Sequence, residues 1–173
     1  MPDVTPSFHD GFVDLFNAHF QRIYRVLDRL SGDAELASDL AQEAFIRLYR
    51  RGSLPDAPEA WLISVAMNLF RSERSSRNRH RRLLTIDRGA GAHSDPAPSP
   101  EQAAVDADSS RRVRSSLDRL PERERRLLLL RAEGFSYRDI AAALELNETS
   151  VGTLLGRARL AFQRLYKDAH DAS

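Results

Sequence analysis

Apolar residues recur at three- and four-residue steps through most of this chain, and no stretch alternates at period two for long enough to form a strand. Between residues 8 and 30 these steps run from Phe8 to Leu30 along one helical face. Gly32 is typical of a helix stop, and Asp33 is typical of the N-cap of a second helix at 34–51. The period resumes near Glu59, so the N-terminal half is predicted to be an all-α bundle.

The segment at 89–100, GAGAHSDPAPSP, interrupts the helical pattern. It is rich in Gly, Ala, Pro and Ser and carries almost no bulky apolar residue, so it cannot form a core. A chain of 173 residues is long enough for two small domains. We therefore predict a flexible linker at 89–102 between a domain at 8–88 and a domain at 103–170.

The second domain is predicted to contain a helix-turn-helix. Ser136 and Asp139 form an acidic variant of a capping box before the short helix SYRDIAAAL, and ELN at 145–147 is the turn. Ala141 is small, which lets the second helix of the motif approach the first. Apolar residues fall where the motif needs contacts: Ile140, Ala141, Leu144, Leu146, Val151 and Leu155.

Composition excludes several classes of protein. The chain has no cysteine, and its five histidines are scattered, so we expect neither disulfides nor a metal site. Asp39 and Glu43 share a helix face, but no nucleophile, metal ligand set or glycine-rich phosphate loop accompanies them, so we expect no catalytic residue, no cofactor and no enzyme. No apolar run approaches the roughly twenty residues of a membrane span, and the N-terminus is acidic where a signal peptide is basic. We expect a soluble cytoplasmic protein without membrane insertion.

The tract RSERSSRNRHRR at 71–82 carries six arginines and one acid, and it follows directly on the apolar segment WLISVAMNLF. A run of like charge resists compaction and usually lies in solvent or against an anion. Because the net charge of the whole chain is only +1, this positive charge is local. The tract therefore indicates a nucleic-acid surface at the end of a helix anchored by its apolar half.

Two blocks of the sequence resemble a known family. DLAQEAFIRLYR at 39–50 and AWLISVAMN at 60–68 are similar to the second conserved region of bacterial sigma-70-type initiation factors. LPERERRLLLLRAEGFSYRDIAAAL at 120–144 is similar to their fourth region. With only these two regions, the chain resembles the small extracytoplasmic-function (ECF) group. The resemblance implies a sigma region 2 helical bundle and a sigma region 4 helix-turn-helix.

The resemblance implies that the helix at 34–51 docks on the clamp helices of the β′ subunit of RNA polymerase core. Phe45 and Leu40 are expected in the core of the bundle instead. The implied docking residues are Asp39, Gln42, Glu43, Arg47, Leu48 and Tyr49.

The resemblance also implies that the first domain holds the minus-ten element while its DNA strands separate. Asn68 matches the family position that reads a flipped base, and an amide suits that task because it both donates and accepts. A preceding loop completes the pocket, and arginines neutralise phosphates. Trp61 is expected in the core. The implied minus-ten residues are Ser53, Leu54, Pro55, Asp56, Ala57, Asn68, Arg71, Arg74, Arg77, Arg79, Arg81 and Arg82.

The second domain is expected to read the minus-thirty-five element with the second helix of its motif. The family commonly has GTVKSR in this helix, where TSVGTL stands here at 149–154, so Gly152 and Leu154 each replace a basic residue. Ser72 likewise replaces a common aspartate. The expected minus-thirty-five residues are Arg138, Thr149, Ser150, Thr153, Arg157 and Arg159.

The leading interpretation is an ECF-type sigma factor that binds polymerase core, including its β flap, together with promoter DNA, and that is held down by an anti-sigma partner. The alternative is a helix-turn-helix regulator of another class, in which residues 1–88 sense or dimerise and an operator is bound as a symmetric dimer. QEAFIRLYR, joined to the AWLISVAMN helix and the arginine tract, argues against the regulator.

Overall fold

The structure is a computed structural model that describes residues 7–84 and 102–171, and those residues contain seven α-helices and no strand. In chain order the helices are α1 (Phe8–Ser31), α2 (Ala34–Arg51), α3 (Pro58–Leu84), α4 (Gln102–Asp118), α5 (Glu122–Ala132), α6 (Tyr137–Leu144) and α7 (Glu148–Asp171). The prediction of an all-α fold is confirmed. The predicted linker, apart from Gln102, lies outside the described residues, and the domain boundaries stay a prediction.

Residues 7–76 pack together with Leu129–Gly152 as one compact unit, and the other described residues form a second unit. In the first unit the core lies between α1, α2 and the apolar half of α3, where Leu27, Leu48 and Leu62 have no exposed surface. Burial of each such side chain contributes about 2 kcal/mol. In the second unit, Leu120 and Ala158 are buried.

The connection between α1 and α2 follows the predicted caps. Gly32 adopts a left-handed conformation with φ 66°, and its N–H donates to the Asp28 carbonyl over 2.8 Å. Asp33 then accepts a 3.0 Å hydrogen bond from the Leu36 N–H. These two residues end one helix and begin the next within three positions, which places α2 directly against α1.

The N-terminal half of α1 packs less deeply than its apolar period predicts. Ile23 and Val26 are fully buried, but Phe16 retains 39% of its surface and Val13 retains 40%. Phe12 and Phe16 meet the ring of Phe45 edge-on, with centroids 6.1 and 5.1 Å apart. An aromatic cluster of half-covered rings therefore lines the groove between α1 and α2.

Candidate polymerase and nucleic-acid interfaces

The polar face of α2 carries most of the expected docking residues. Asp39, Gln42 and Arg47 are exposed, and Glu43 is half-buried. Arg47 donates to Glu43 over 2.9 Å, and Gln42 donates to Ser38 over the same distance, so both side chains are oriented by neighbours one turn away. Such exposed pairs contribute little to stability. Their effect is to fix the orientation of the Arg47 and Gln42 side chains on the surface of α2.

The apolar edge of the same face is formed by Ile46 and Tyr49. Tyr49 is 57% exposed, although its ring contacts Phe8 and Phe12 at centroid distances of 6.1 and 5.4 Å. A tyrosine held by other rings and open to solvent has the character of an interface anchor. The expectation that Leu48 belongs to this surface is wrong, because Leu48 is fully buried between the helices. The expectation that Phe45 and Leu40 lie in the core is confirmed.

The loop at 52–57 joins α2 to α3 and holds the remaining residues of the expected minus-ten pocket. Gly52 ends α2 in a left-handed conformation with φ 71°. Leu54 then lies against α1 at Gly11, where a Cβ atom would come within 2.8 Å of Leu54 Cδ1. Ser53, Leu54 and Asp56 are exposed, and Pro55 and Ala57 are half-buried. Because Gly11 has no side chain, Leu54 of the loop can pack closely against α1.

Helix α3 changes character along its length. Leu62, Ala66 and Phe70 are buried, whereas Asn68 on the same stretch is exposed. Trp61, which was expected in the core, is only half-buried. Asn68 therefore presents its amide to solvent from a helix that is anchored on its other side.

The arginine-rich part of α3 follows directly on Phe70, its last buried residue. Arg74, Arg77, Arg79 and Arg82 are exposed, and the side chain of Arg81 lies outside the described residues. Arg71 is half-buried, and its Nη1 lies 3.6 Å from a carboxylate oxygen of Glu145. The remaining arginines form a positive stretch along α3, as backbone contacts to a nucleic acid require.

The helix-turn-helix is formed by α6 and α7. Ile140, Ala141, Val151 and Leu155 are buried as predicted, whereas Leu144 and Leu146 are half-buried. The capping box at the start of α6 is also present, with the Ser136 N–H donating to Asp139 over 3.1 Å. The motif therefore has the helix starts and the core that its sequence predicts.

The expected minus-thirty-five residues lie at the start of α6 and along α7. Arg138, Thr149, Ser150, Thr153, Arg157 and Arg159 are all exposed. Both hydrogen-bond donors of Thr149 are already used within the chain. Its hydroxyl donates to Asn147 Oδ1 over 2.9 Å, and its N–H donates to the same oxygen over 3.2 Å. Its oxygen keeps only acceptor capacity for DNA. Leu154 is half-buried on α7.

Two features of this surface escaped sequence reasoning. Tyr137 lies against Gly152, and the guanidinium of Arg131 lies 5.4 Å from the centroid of the Tyr137 ring. Neither Tyr137 nor Arg131 belongs to the expected site. The only signal in the sequence was the glycine itself, at a position where a side chain is usual.

Other kinds of site find no support in residues 7–84 and 102–171. No group of three or more His, Asp or Glu residues in these ranges could hold a metal ion. No helix in the same ranges is long and apolar enough to cross a membrane.

Both halves of the chain match descriptions of one protein family. The family description "Sigma-70 region 2" matches residues 15–80, and "Sigma-70, region 4" matches residues 110–162. The first match contains α2, the loop and Asn68, and the second contains the helix-turn-helix.

Several sequence relatives carry sigma-factor names. The ECF RNA polymerase sigma factor EcfG of Rhodopseudomonas palustris is 35% identical, over 79% of this chain and 72% of its own length. The RNA polymerase sigma-H factor of Pseudomonas aeruginosa is 32% identical, over 87% and 84%. SigE of Mycolicibacterium smegmatis is 35% identical over 84% of this chain. The chain spans only 58% of the length of SigE and 41% of that of RfaY from Xanthomonas campestris.

Solved structures share the fold. The sigma factor RpoE in complex with the anti-sigma factor NepR from Bartonella quintana superposes with a TM-score of 0.70 at 22% identity, over 91% of this chain and 97% of that one. CnrH in complex with the cytosolic domain of CnrY gives 0.62 at 21% identity, over 92% and 90%. On the evidence of both family regions and of relatives matched over most of their length, this chain belongs to the sigma-70 family, in the ECF group of RNA polymerase sigma factors.

Proposed function

We propose that this chain is a promoter-recognition subunit, which binds RNA polymerase core through α2, opens and reads the minus-ten element with α3 and its preceding loop, and reads the minus-thirty-five element with the helix-turn-helix. Members of this family initiate transcription without catalysis of their own, so no enzyme activity is assigned. The site of action is the cytoplasm, where polymerase and promoter DNA are found.

The observation that carries this function is that α3 has a buried apolar half and an exposed arginine-rich half. The same helix buries Leu62, Ala66 and Phe70 in the bundle and continues into the exposed arginines. A protein that binds only duplex operators needs cations along a groove. It does not need an exposed amide and a loop pocket on the same helix as those cations. Asn68, the loop at 52–57 and the arginines together suit a DNA strand whose bases have left the stack.

The polymerase-binding role rests on α2, with Tyr49 as an anchor within a polar rim. The β′ clamp helices are the expected partner for α2, and the β flap is the expected partner for the second domain. An anti-sigma partner is proposed by analogy, because the structural neighbour RpoE is described in complex with the anti-sigma factor NepR.

A reconstituted transcription assay tests the proposal. Bacterial core polymerase, genomic promoter fragments and the full chain should give transcripts from defined starts only when the chain is present. Tyr49→Ala should weaken binding to core about tenfold, because an exposed tyrosine anchor contributes about 1–2 kcal/mol. Glu35→Ala, an exposed change at the other end of α2, is the matched control.

Circular dichroism confirms that both variants remain folded. Binding of duplex fragments by the chain alone, with neither association with core nor defined starts, would favour the helix-turn-helix regulator instead.

A further inference from the structure

Residues from distant parts of the sequence meet within the first compact unit. Arg22 and Arg25 of α1 both contact Glu133, which follows the last residue of α5. The Arg25 Nε donates to the Glu133 carboxylate over 2.8 Å, and the Arg22 Nε donates to the Glu133 main-chain carbonyl over 2.9 Å. The Glu133 side chain keeps only 9% of its surface exposed, so water screens this ion pair less than it screens a surface pair.

The Arg22 side chain extends these contacts to the segment that leads into the helix-turn-helix. Its guanidinium lies 4.4 Å from the centroid of the Phe135 ring, and Phe135 is fully buried directly before the Ser136 cap of α6. The Arg22 Nη1 also donates to a Glu59 carboxylate oxygen over 2.6 Å. We call Arg22, Arg25, Glu133 and Phe135 the latch, because their contacts fix the start of the helix-turn-helix to α1.

A second contact joins α3 to the turn of the helix-turn-helix. The Arg71 Nη1 lies 3.6 Å from a carboxylate oxygen of Glu145, the C-cap of α6. Arg71 is one of the residues expected to contact the minus-ten element, and Glu145 begins the turn before α7, the helix expected to read the minus-thirty-five element. The two expected DNA surfaces therefore adjoin each other in this unit.

On a promoter these two surfaces have to lie far apart. The minus-ten and minus-thirty-five elements are separated by about 25 base pairs, which at about 3.4 Å per base pair is about 85 Å. A compact body of about a hundred residues has a radius of gyration of about 13 Å, so it does not reach across that distance. A chain that keeps the latch and the contact between Arg71 and Glu145 can therefore hold one element but not both.

We infer that the latch is an autoinhibitory contact, which keeps the helix-turn-helix against α1 in the free chain and which opens when the chain binds polymerase core. Core favours the open chain because it is proposed to contact α2 and the second domain at two separate places. The closed fraction of the free chain then lowers its apparent affinity for core. The inference rests on the proposed function, since only a chain that reads both elements has to separate these surfaces.

The test measures the opening of the full chain by fluorescence energy transfer. Because the sequence has no cysteine, two can be introduced for specific labelling with a donor and an acceptor dye. Glu35→Cys on α2 and Ala142→Cys on α6 place the dyes at exposed positions outside the latch. Energy transfer is recorded in the free chain and after addition of bacterial core polymerase.

Two single variants weaken the latch while Arg22 keeps its hydrogen bond to the main chain. Arg25→Ala removes the cation of the ion pair, and Glu133→Gln removes its negative charge. Arg119→Ala, which removes a charge at an exposed position outside the first compact unit, is the matched control. Circular dichroism establishes that all three variants are folded.

The free wild-type chain should show high energy transfer that falls when core is added. Arg25→Ala and Glu133→Gln should shift the free chain toward low transfer and should bind core about tenfold more tightly. This ratio is expected when a hydrogen bond between charged groups, worth about a factor of ten, is lost from the closed state alone. Arg119→Ala should behave as the wild type does.

Transfer that stays high in the wild-type complex with core would overturn the inference, because the latch would then persist in the state that initiates transcription. Unchanged transfer and unchanged affinity for core in both latch variants would overturn it as well. Failure of the unlabelled wild-type chain to co-elute with core is a different result, since it contradicts the proposed function and the inference falls with it.

Discussion

Arg22 on α1 and Glu133 beyond the end of α5 are joined by a 2.9 Å hydrogen bond from the Arg22 Nε to the Glu133 main-chain carbonyl. The same guanidinium lies 2.6 Å from a Glu59 carboxylate oxygen and 4.4 Å from the centroid of the Phe135 ring. One side chain therefore holds three elements of the first compact unit. Neighbouring Arg25 contributes a further 2.8 Å ion pair to the Glu133 carboxylate.

Replacement of Arg22 should destabilise the chain more than replacement of any peripheral arginine. Arg22→Ala leaves the Glu133 carbonyl and the half-buried Glu59 carboxylate without their partner, at a cost of about 2 kcal/mol. Arg29→Ala is the matched control on the same helix, because Arg29 reaches Glu133 only at 4.0 Å and is half exposed. Its effect should stay within about 0.5 kcal/mol. Urea unfolding followed by circular dichroism measures both, and equal midpoints would contradict the role of Arg22.

Two glycines within helices should respond differently to replacement by alanine. Gly156 has open space around it, so Gly156→Ala should raise the free energy of unfolding by about 0.5–1 kcal/mol. Gly11→Ala should give no such gain, because the new methyl would meet Leu54 Cδ1 at 2.8 Å. Thermal unfolding of the two variants provides the comparison.

The Gly11 substitution should also displace the side chain of Leu54 in the loop at 52–57. Binding of single-stranded minus-ten DNA by the Gly11→Ala holoenzyme should therefore fall while binding to core polymerase is retained. Stabilisation by Gly11→Ala equal to that by Gly156→Ala, with full minus-ten binding, would show that the loop does not depend on this contact.

The capping box at the start of α1 should give Asp10 a distinctive titration. The Ser7 hydroxyl donates to the Asp10 carboxylate over 2.8 Å and the Ser7 N–H donates over 3.2 Å, and these bonds hold the pKa of Asp10 below its ordinary value. Because the pKa is lowered in the folded state, the stabilisation is present above the pKa of the unfolded chain and is lost as pH falls through the folded value. Ser7→Ala should return the pKa of Asp10 toward its ordinary value.

An NMR titration of the side-chain carboxyl carbons follows this change directly. Ser76→Ala, an exposed serine on α3, should leave the Asp10 titration unaltered. A titration of Asp10 that is the same in the Ser7→Ala variant as in the wild type would mean that the capping bonds are not populated in solution.

The arginine stretch of α3 should determine how strongly salt weakens promoter binding. Replacement of Arg79 and Arg82 by alanine should lower the slope of log affinity against log salt by about 0.7 for each arginine, the value for counterion release from a single strand. The measurement is holoenzyme binding to a pre-melted promoter over a range of salt concentrations. Arg119→Ala, a change at an exposed arginine outside this stretch, should keep the wild-type slope. An unchanged slope in the double variant would show that the single DNA strand does not contact Arg79 and Arg82.

The helices and their ends could be predicted because their signals are local. Gly32 and Asp33 mark the end of α1 and the start of α2, and Ser136 with Asp139 marks the start of α6, all by interactions that span four residues or fewer. The burial of Leu48 could also have been predicted. It follows Leu40 and Ala44 at successive four-residue steps, so it belongs to the buried stripe rather than to the docking face.

Contacts between distant segments left no such signal. Arg22 and Glu133 are 111 positions apart, and the spacing of apolar residues around them does not indicate that they meet. The sequence marked Gly152 as a weak point in a helix, since glycine costs about 1 kcal/mol there relative to alanine. Its packing against Tyr137 depends on how the turn at 145–147 orients α7 against α6, which the spacing of apolar residues does not specify.

The continuity of α3 restricts which insertions and deletions the protein can tolerate. Its 27 residues form one helix, from the buried anchor at Leu62 to the exposed Arg82. An α-helix turns by about 100° per residue, so one residue added or removed after Phe70 would rotate every later arginine by more than a quarter turn relative to Asn68. Changes of three or four residues would nearly restore the original face. The helical geometry therefore restricts changes in the length of this segment to steps of about one turn, independently of its charge.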